Sequence, residues 1–139
     1  MANKFAKSST MSQIPTLSSI QAAHERVRPY VHRTPVMTCQ TINKIAGCEV
    51  FFKCENFQKI GAFKARGGVN SVLSLSEEDR QKGIATHSSG NHAQAIAYAA
   101  QMLGAKAYIV MPQNSPKVKS DAVAGYGAEI FFCDNNLQA

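Results

Sequence analysis

A chain of 139 residues, 45% of them hydrophobic, can bury one core but is short for two, so a single domain or a piece of something larger is expected. The net charge of +6 would suit an anionic ligand, yet Lys and Arg are scattered and never form the dense run of a nucleic-acid or membrane surface. No apolar stretch is long enough to span a bilayer, and Cys39, Cys48, Cys54 and Cys133 contain no C-x-x-C pair and follow no signal-like segment, which argues against a disulfide framework or a zinc site and for free thiols in the cytoplasm.

In chain order, residues 1–17 read as a disordered leader: the first 24 residues carry several Ser and Thr, no acid, no Arg and no amphipathic period. Order is expected from Ser18, where Ser18 and Gln21 have capping-box spacing, and the helix that follows stops near Arg28 because Pro29 disfavours helical geometry before it. Tyr30 to Thr38 should run extended. A short helix over Thr41 to Ala46 ends at Gly47, and Val50 to Cys54 is a β-branched and aromatic run typical of a strand. From Lys64 onward Val69, Val72, Leu73 and Leu75 fall mostly at helical spacing, and a second short helix opens at Ser76 and closes at Gly83.

The pattern is clearest from Ile84 to Cys133. A strand over Ile84 to Thr86 leads into Ser88-Ser89-Gly90-Asn91, and a helix over His92 to Leu103 carries Ala95, Ile96, Ala99 and Leu103 on one face. A strand over Ala107 to Met111, a helix over Lys117 to Ala124 and a strand over Ala128 to Cys133 follow. Strands alternating with helices at this spacing pair in parallel through right-handed crossovers, which predicts an α/β open parallel sheet with helices on both faces. The last strand, Glu129 to Cys133, is apolar on both faces, and a partner or further residues are expected to cover it.

Two segments carry chemistry. In Gly61-Ala62-Phe63-Lys64-Ala65-Arg66-Gly67-Gly68, Lys64 read alone is one solvated lysine in a polar turn. Its position argues otherwise, because the positive end of a helix and the neighbouring Arg66 both disfavour the ammonium form, and Phe63 adds an apolar wall. A neutral amine of that kind is what condensation with an aldehyde cofactor requires. In Ser88-Ser89-Gly90-Asn91-His92, free backbone N–H groups at a strand-to-helix junction suit a carboxylate or phosphate, although an N-cap and tight turn would look the same. His92 reads as a packed helix-entry residue, and no acid stands near it at triad or metal-ligand spacing. Gly125-Tyr126-Gly127 precedes a strand, so it reads as a helix stop and not as a phosphate loop.

The ordered set NFQKIGAFKARG (Asn56 to Gly67), THSSGNHAQAIAYAA and AYIVMP resembles the fold-type II pyridoxal-phosphate family that contains serine racemase and the serine and threonine dehydratases, over about Ile20 to Cys133. The resemblance implies that Lys64 bears pyridoxal 5'-phosphate, that Phe63 packs near its ring, that Asn91 bonds the ring's 3-oxygen, and that Ser88, Ser89, Gly90, Asn91 and His92 hold the substrate carboxylate. It implies that Lys64, once released, removes the α-proton of serine or threonine, and that Ser89 is the acid-base group on the opposite side. Racemase-like members have Ser at that position where many dehydratases have Ala, so serine racemisation with accompanying β-elimination is expected, and threonine/serine ammonia-lyase activity is the alternative. Lys59, Gln94 and Tyr126 match positions that contact an activating nucleotide (ATP), while Ile60 and Gln21 replace polar or acidic contacts there. The resemblance further implies a large-domain portion over 18–83 and a small-domain βαβαβ segment over 84–139. The complete family members are expected to be homodimers with a divalent metal (Mg or Ca), and the metal ligands, like the glycine-rich phosphate loop, belong to a second half that this sequence lacks. The 139-residue chain alone is therefore expected to bind the cofactor poorly, and a non-catalytic chain that associates with a full-length relative is the reading from another class.

Overall fold

The computed structural model describes residues 14–135, so the leader expected over 1–17 lies mostly outside the described residues. Helix α1 (Leu17–Val27) begins two residues before the start expected from a cap at Ser18. Its cap is Thr16, whose Oγ1 accepts from the Ser19 amide at 3.2 Å while Ser19 Oγ accepts from the Thr16 amide at 3.0 Å. The Ser18–Gln21 pairing is thus replaced by one in which a hydroxyl, not a Glu or Gln, closes the box. Pro29 ends the helix as expected, through a 3-10 turn at Arg28–Tyr30.

Strand β1 (Val36–Met37) and strand β2 (Phe52–Lys53) form an antiparallel pair around helix α2 (Gln40–Ala46), which ends at Gly47 with φ 68°. The run Val50 to Cys54 thus contributes only two residues to a ladder, because the partner offers only Val36 and Met37. Helix α3 (Lys64–Leu73) and helix α4 (Glu77–Lys82) follow, the latter capped by Ser76 Oγ on the Asp79 amide at 3.1 Å.

Strand β3 (Ile84–His87), helix α5 (Asn91–Met102), strand β4 (Ala107–Pro112), helix α6 (Lys117–Gly125) and strand β5 (Glu129–Cys133) build the parallel sheet that the alternating pattern predicts. The order is β3-β4-β5, with Ile84 opposite Ala107 and Ile109 opposite Ile130. Alternation along β4 sets the layers: Ala107, Ile109 and Met111 are buried, whereas Val110 is 38% exposed beside Phe131 at 47%.

Helix α5 is the centre of the core. Ala93, Ala95, Ile96, Ala97, Ala99 and Ala100 are all buried, more than one face of a surface helix would supply, because α5 lies between the sheet and α3. Val69 and Val72 of α3, Ile109 and Met111 of β4 and Val123 of α6 are fully buried around it, each contributing about 1.5–3 kcal/mol. The α3–α5 contact depends on Gly68, where a Cβ would come within 2.7 Å of Ala95 Cβ.

Candidate functional site

The turn before Lys64 is held from both sides. Gln58, 4% exposed, clamps the His32 backbone: the His32 amide donates to Oε1 and Nε2 donates to the His32 carbonyl, both at 2.8 Å. Ile60 (φ 59°) and Gly61 (φ 68°) then take successive left-handed conformations, which is unfavourable for a β-branched residue and turns the chain sharply into α3.

Glu55 accepts from Arg66 Nε and Nη2 at 2.8 Å each and from Thr34 Oγ1 at 2.6 Å. The Arg66 hydrogen bond, opposed by burial and reinforced by Thr34, lowers the Glu55 pKa from 4.5 to about 2, and Glu55 in turn raises that of Arg66. This corrects one expectation: Arg66 is not a free cation beside Lys64, because its charge is matched by Glu55 across the bidentate pair. Lys64 itself is the first residue of α3. Its side chain has no hydrogen-bond or ion-pair partner among the described residues, and Nζ lies 5.4 Å from the centroid of the Phe63 ring. Phe63 is itself 60% exposed, so the apolar wall it was expected to form is only half built within the described residues.

The second segment extends β3. The Ser88 amide donates to the Val110 carbonyl at 3.0 Å, and Ser88 Oγ accepts from the Gly90 amide at 3.2 Å. Gly90 is the N-cap of α5 and no side chain caps that end; the first helical acceptor is the Gly90 carbonyl, taken by the Gln94 amide. The amides of Asn91, His92 and Ala93 therefore precede the first intrahelical bond and face outward. A simple side-chain cap, the structural alternative for this loop, is not what forms. Ser89 is exposed, and half-buried His92 shares a cleft of about 500 Å³ with Ser71 and Val72 of α3 and with Leu75 just beyond it.

Asn91 is tied elsewhere: its Oδ1 accepts from Lys119 Nζ of α6 at 2.5 Å. The two segments are joined through the packed pair α3 and α5, not by direct bonds, since no hydrogen bond links Lys64 to residues 88–92 among the described residues. Lys59 lies on the 3-10 turn Lys59–Gly61, Gln94 is 6% exposed on α5, and Tyr126 follows α6 with its ring edge-on to Tyr98 at 5.7 Å. Helix α5 touches both that turn and α6. Burial, and secondarily Tyr126, raises the Tyr98 pKa.

Lys119, the Glu55–Arg66–Thr34 network and the Gln58 clamp escaped the sequence reading. Each is a side-chain contact between distant positions, for which hydrophobic periodicity carries no signal. Among the described residues all four cysteines are free, no three metal-ligating side chains converge, and no helix is long and apolar enough to cross a membrane.

Comparison with known proteins bears on what this arrangement does. The family described as pyridoxal-phosphate dependent enzyme matches residues 27–139. The chain is 51% identical over 124 residues to serine racemase of Dictyostelium discoideum, covering 89% of this chain and 38% of that protein. It is 48% identical over 121 residues to beta-hydroxyaspartate dehydratase of Paracoccus denitrificans, covering 87% of this chain and 38% of that one. The crystal structure of the Dictyostelium discoideum serine racemase superposes with a TM-score of 0.85 at 51% identity, over 89% of this chain and 40% of that chain. The chain thus spans 38% of the length of both curated relatives.

Proposed function

We propose that this chain, which belongs to the family of pyridoxal-phosphate dependent enzymes, is the N-terminal portion of an enzyme that racemises serine and eliminates water from serine or threonine. The observation that carries the reading is the amine of Lys64 at the head of α3, free of hydrogen-bonded and charged partners among the described residues and set against an aromatic ring. Similarity both to a serine racemase and to a hydroxy-amino-acid dehydratase supports the pairing of the two activities.

The residues fit one end of the cofactor. Lys64 offers a nucleophilic amine for its aldehyde, Phe63 an apolar face for its ring, and the Asn91 side-chain amide a donor for its 3-oxygen. When bound, pyridoxal phosphate supplies a sink for the electron pair left behind when the α-proton of an amino acid is removed. The Ser88 to His92 loop, with the outward amides of Asn91 and His92 at the start of α5, orients the substrate carboxylate. Lys64 Nζ, once free, accepts the α-proton. Ser89 Oγ returns a proton to the opposite side, which inverts the centre; loss of the β-hydroxyl as water leads instead to a 2-oxo acid and ammonia. As parts of the same proposal, residues 18–83 belong to a large domain and 84–139 to a small one. Lys59, Gln94 and Tyr126 contribute to an ATP effector site, and the whole protein is a cytoplasmic homodimer with a divalent metal held outside this chain.

The test is chemical. Incubation with pyridoxal phosphate, reduction with borohydride and peptide mapping should place the label on Lys64; labelling spread over surface lysines would oppose the reading. A second reading, a non-catalytic chain that associates with a full-length relative, draws on Phe131 and Phe132, which are 47% and 56% exposed on β5. Co-elution with a complete serine racemase and altered turnover of that enzyme would favour it, and neither effect would remove it.

A further inference from the structure

We propose that Lys119 is a positioning residue that fixes the side-chain amide of Asn91 so that its NH2 group, not its oxygen, faces the ligand-binding loop. This deepens the function proposed above and rests on it. Lysine offers three donors and no acceptor, so the Asn91 atom 2.5 Å from Nζ has to be the oxygen. Nδ2 is thereby turned away from α6 and has no other hydrogen-bond partner among the described residues. The loop then presents donors together: the outward amides that open α5, and the Asn91 NH2, which hydrogen bonding to an ammonium makes a stronger donor. Such a set accepts an anionic oxygen and rejects a donor.

Lys119 is not an ordinary surface lysine placed there by chance. Lys117, one turn-edge earlier, is 85% exposed and pairs with Asp121 in the common i,i+4 manner, at 2.7 Å. Lys119 lies on the side of α6 that carries Val123, one turn later and fully buried against the core. It is half-buried, it makes no ion pair among the described residues, and it spans 28 positions to reach Asn91. A cation with an amide oxygen as its partner and no carboxylate leaves a positive charge behind the loop, one side-chain amide away from any bound anion.

The experiment uses the chain itself in three forms: wild type, K119M, which keeps the length and loses the donors, and K119R, which keeps the charge. In the absence of cofactor, nitrogen-15 NMR should show the Asn91 NH2 resonances displaced in K119M and near their wild-type position in K119R. Pyridoxal phosphate is then titrated while the absorbance near the cofactor band and borohydride labelling of Lys64 are followed. K119M should weaken the apparent affinity at least fivefold with the label still on Lys64, and K119R should stay within twofold. Unchanged Asn91 resonances together with an affinity within twofold in K119M would overturn the positioning role while leaving the Lys64 assignment intact. Absence of label on Lys64 in wild type would instead remove the proposed function, and the NMR comparison would then decide the orientation of Asn91 by itself.

Discussion

Gly68→Ala tests the packing on which the two loops depend. A methyl group there would lie 2.7 Å from Ala95 Cβ and 2.9 Å from the Ala95 carbonyl carbon and oxygen. Ordinary contact begins near 3.4 Å, so α3 and α5 would have to separate by about 0.7 Å, and no flexible side chain is available to yield. Overpacking of this kind costs about 1–3 kcal/mol, against about 1 kcal/mol gained by replacing a helical glycine with alanine. A net loss of up to about 2 kcal/mol is expected, read as a lower urea midpoint with an unchanged slope. The control is the adjacent residue: Gly67 has nothing within 4 Å of its would-be Cβ, so Gly67→Ala should raise stability by about 0.4–1 kcal/mol. The separation would also move Lys64, four residues before Gly68, relative to the α5 entrance. Equal or greater stability for Gly68→Ala, or an equal loss for Gly67→Ala, would refute the claim that α3 sits on α5 at its steric limit.

Glu55 gives a pH signature. Because its pKa falls from 4.5 to about 2 on folding, it stabilises the fold fully above pH 4.5 and that contribution is lost as pH falls toward 2. With the Glu55 side chain only 21% exposed, about 2 kcal/mol is expected at neutral pH, and Glu55→Gln should flatten the stability profile between pH 5 and pH 2, measured by urea unfolding at each pH. Ser89→Ala, in a complete enzyme carrying this sequence, should lower serine racemisation at least about a hundredfold while leaving most formation of 2-oxo acid, as read by chiral chromatography beside a keto-acid assay. Equal loss of both activities would argue that Ser89 binds substrate and does not transfer a proton.

How much was legible in the sequence follows from what each element depends on. Helix α5 and strand β4 were readable because Ala95, Ile96 and Ala99, and Ala107, Ile109 and Met111, impose periods that only a helix and a strand satisfy. Gly47 announced the end of α2 through its left-handed conformation. The antiparallel pairing of Val36–Met37 with Phe52–Lys53 was not readable, since a two-residue ladder joins positions 15 and 17 apart and local composition overstates its length. The cap of α1 was displaced from Ser18 to Thr16 because serine in the third helical position closes the box as well as the expected Glu or Gln. At the candidate site, Lys64 and the Ser88–His92 loop stood out by their places at helix entrances. The groups that hold them did not. Glu55 neutralises Arg66 across 11 positions and Lys119 reaches Asn91 across 28, and those distances are set by the packing of helices, which no spacing in the sequence encodes.

The central claim is that the Lys64 amine is the group that takes the aldehyde. Its most direct measurement compares wild type with Lys64→Ala after equal exposure to pyridoxal phosphate and borohydride, with the label quantified peptide by peptide. One dominant label on the peptide containing Lys64, lost in the variant, is expected; a variant labelled as heavily as wild type, at other lysines, would rule out that assignment.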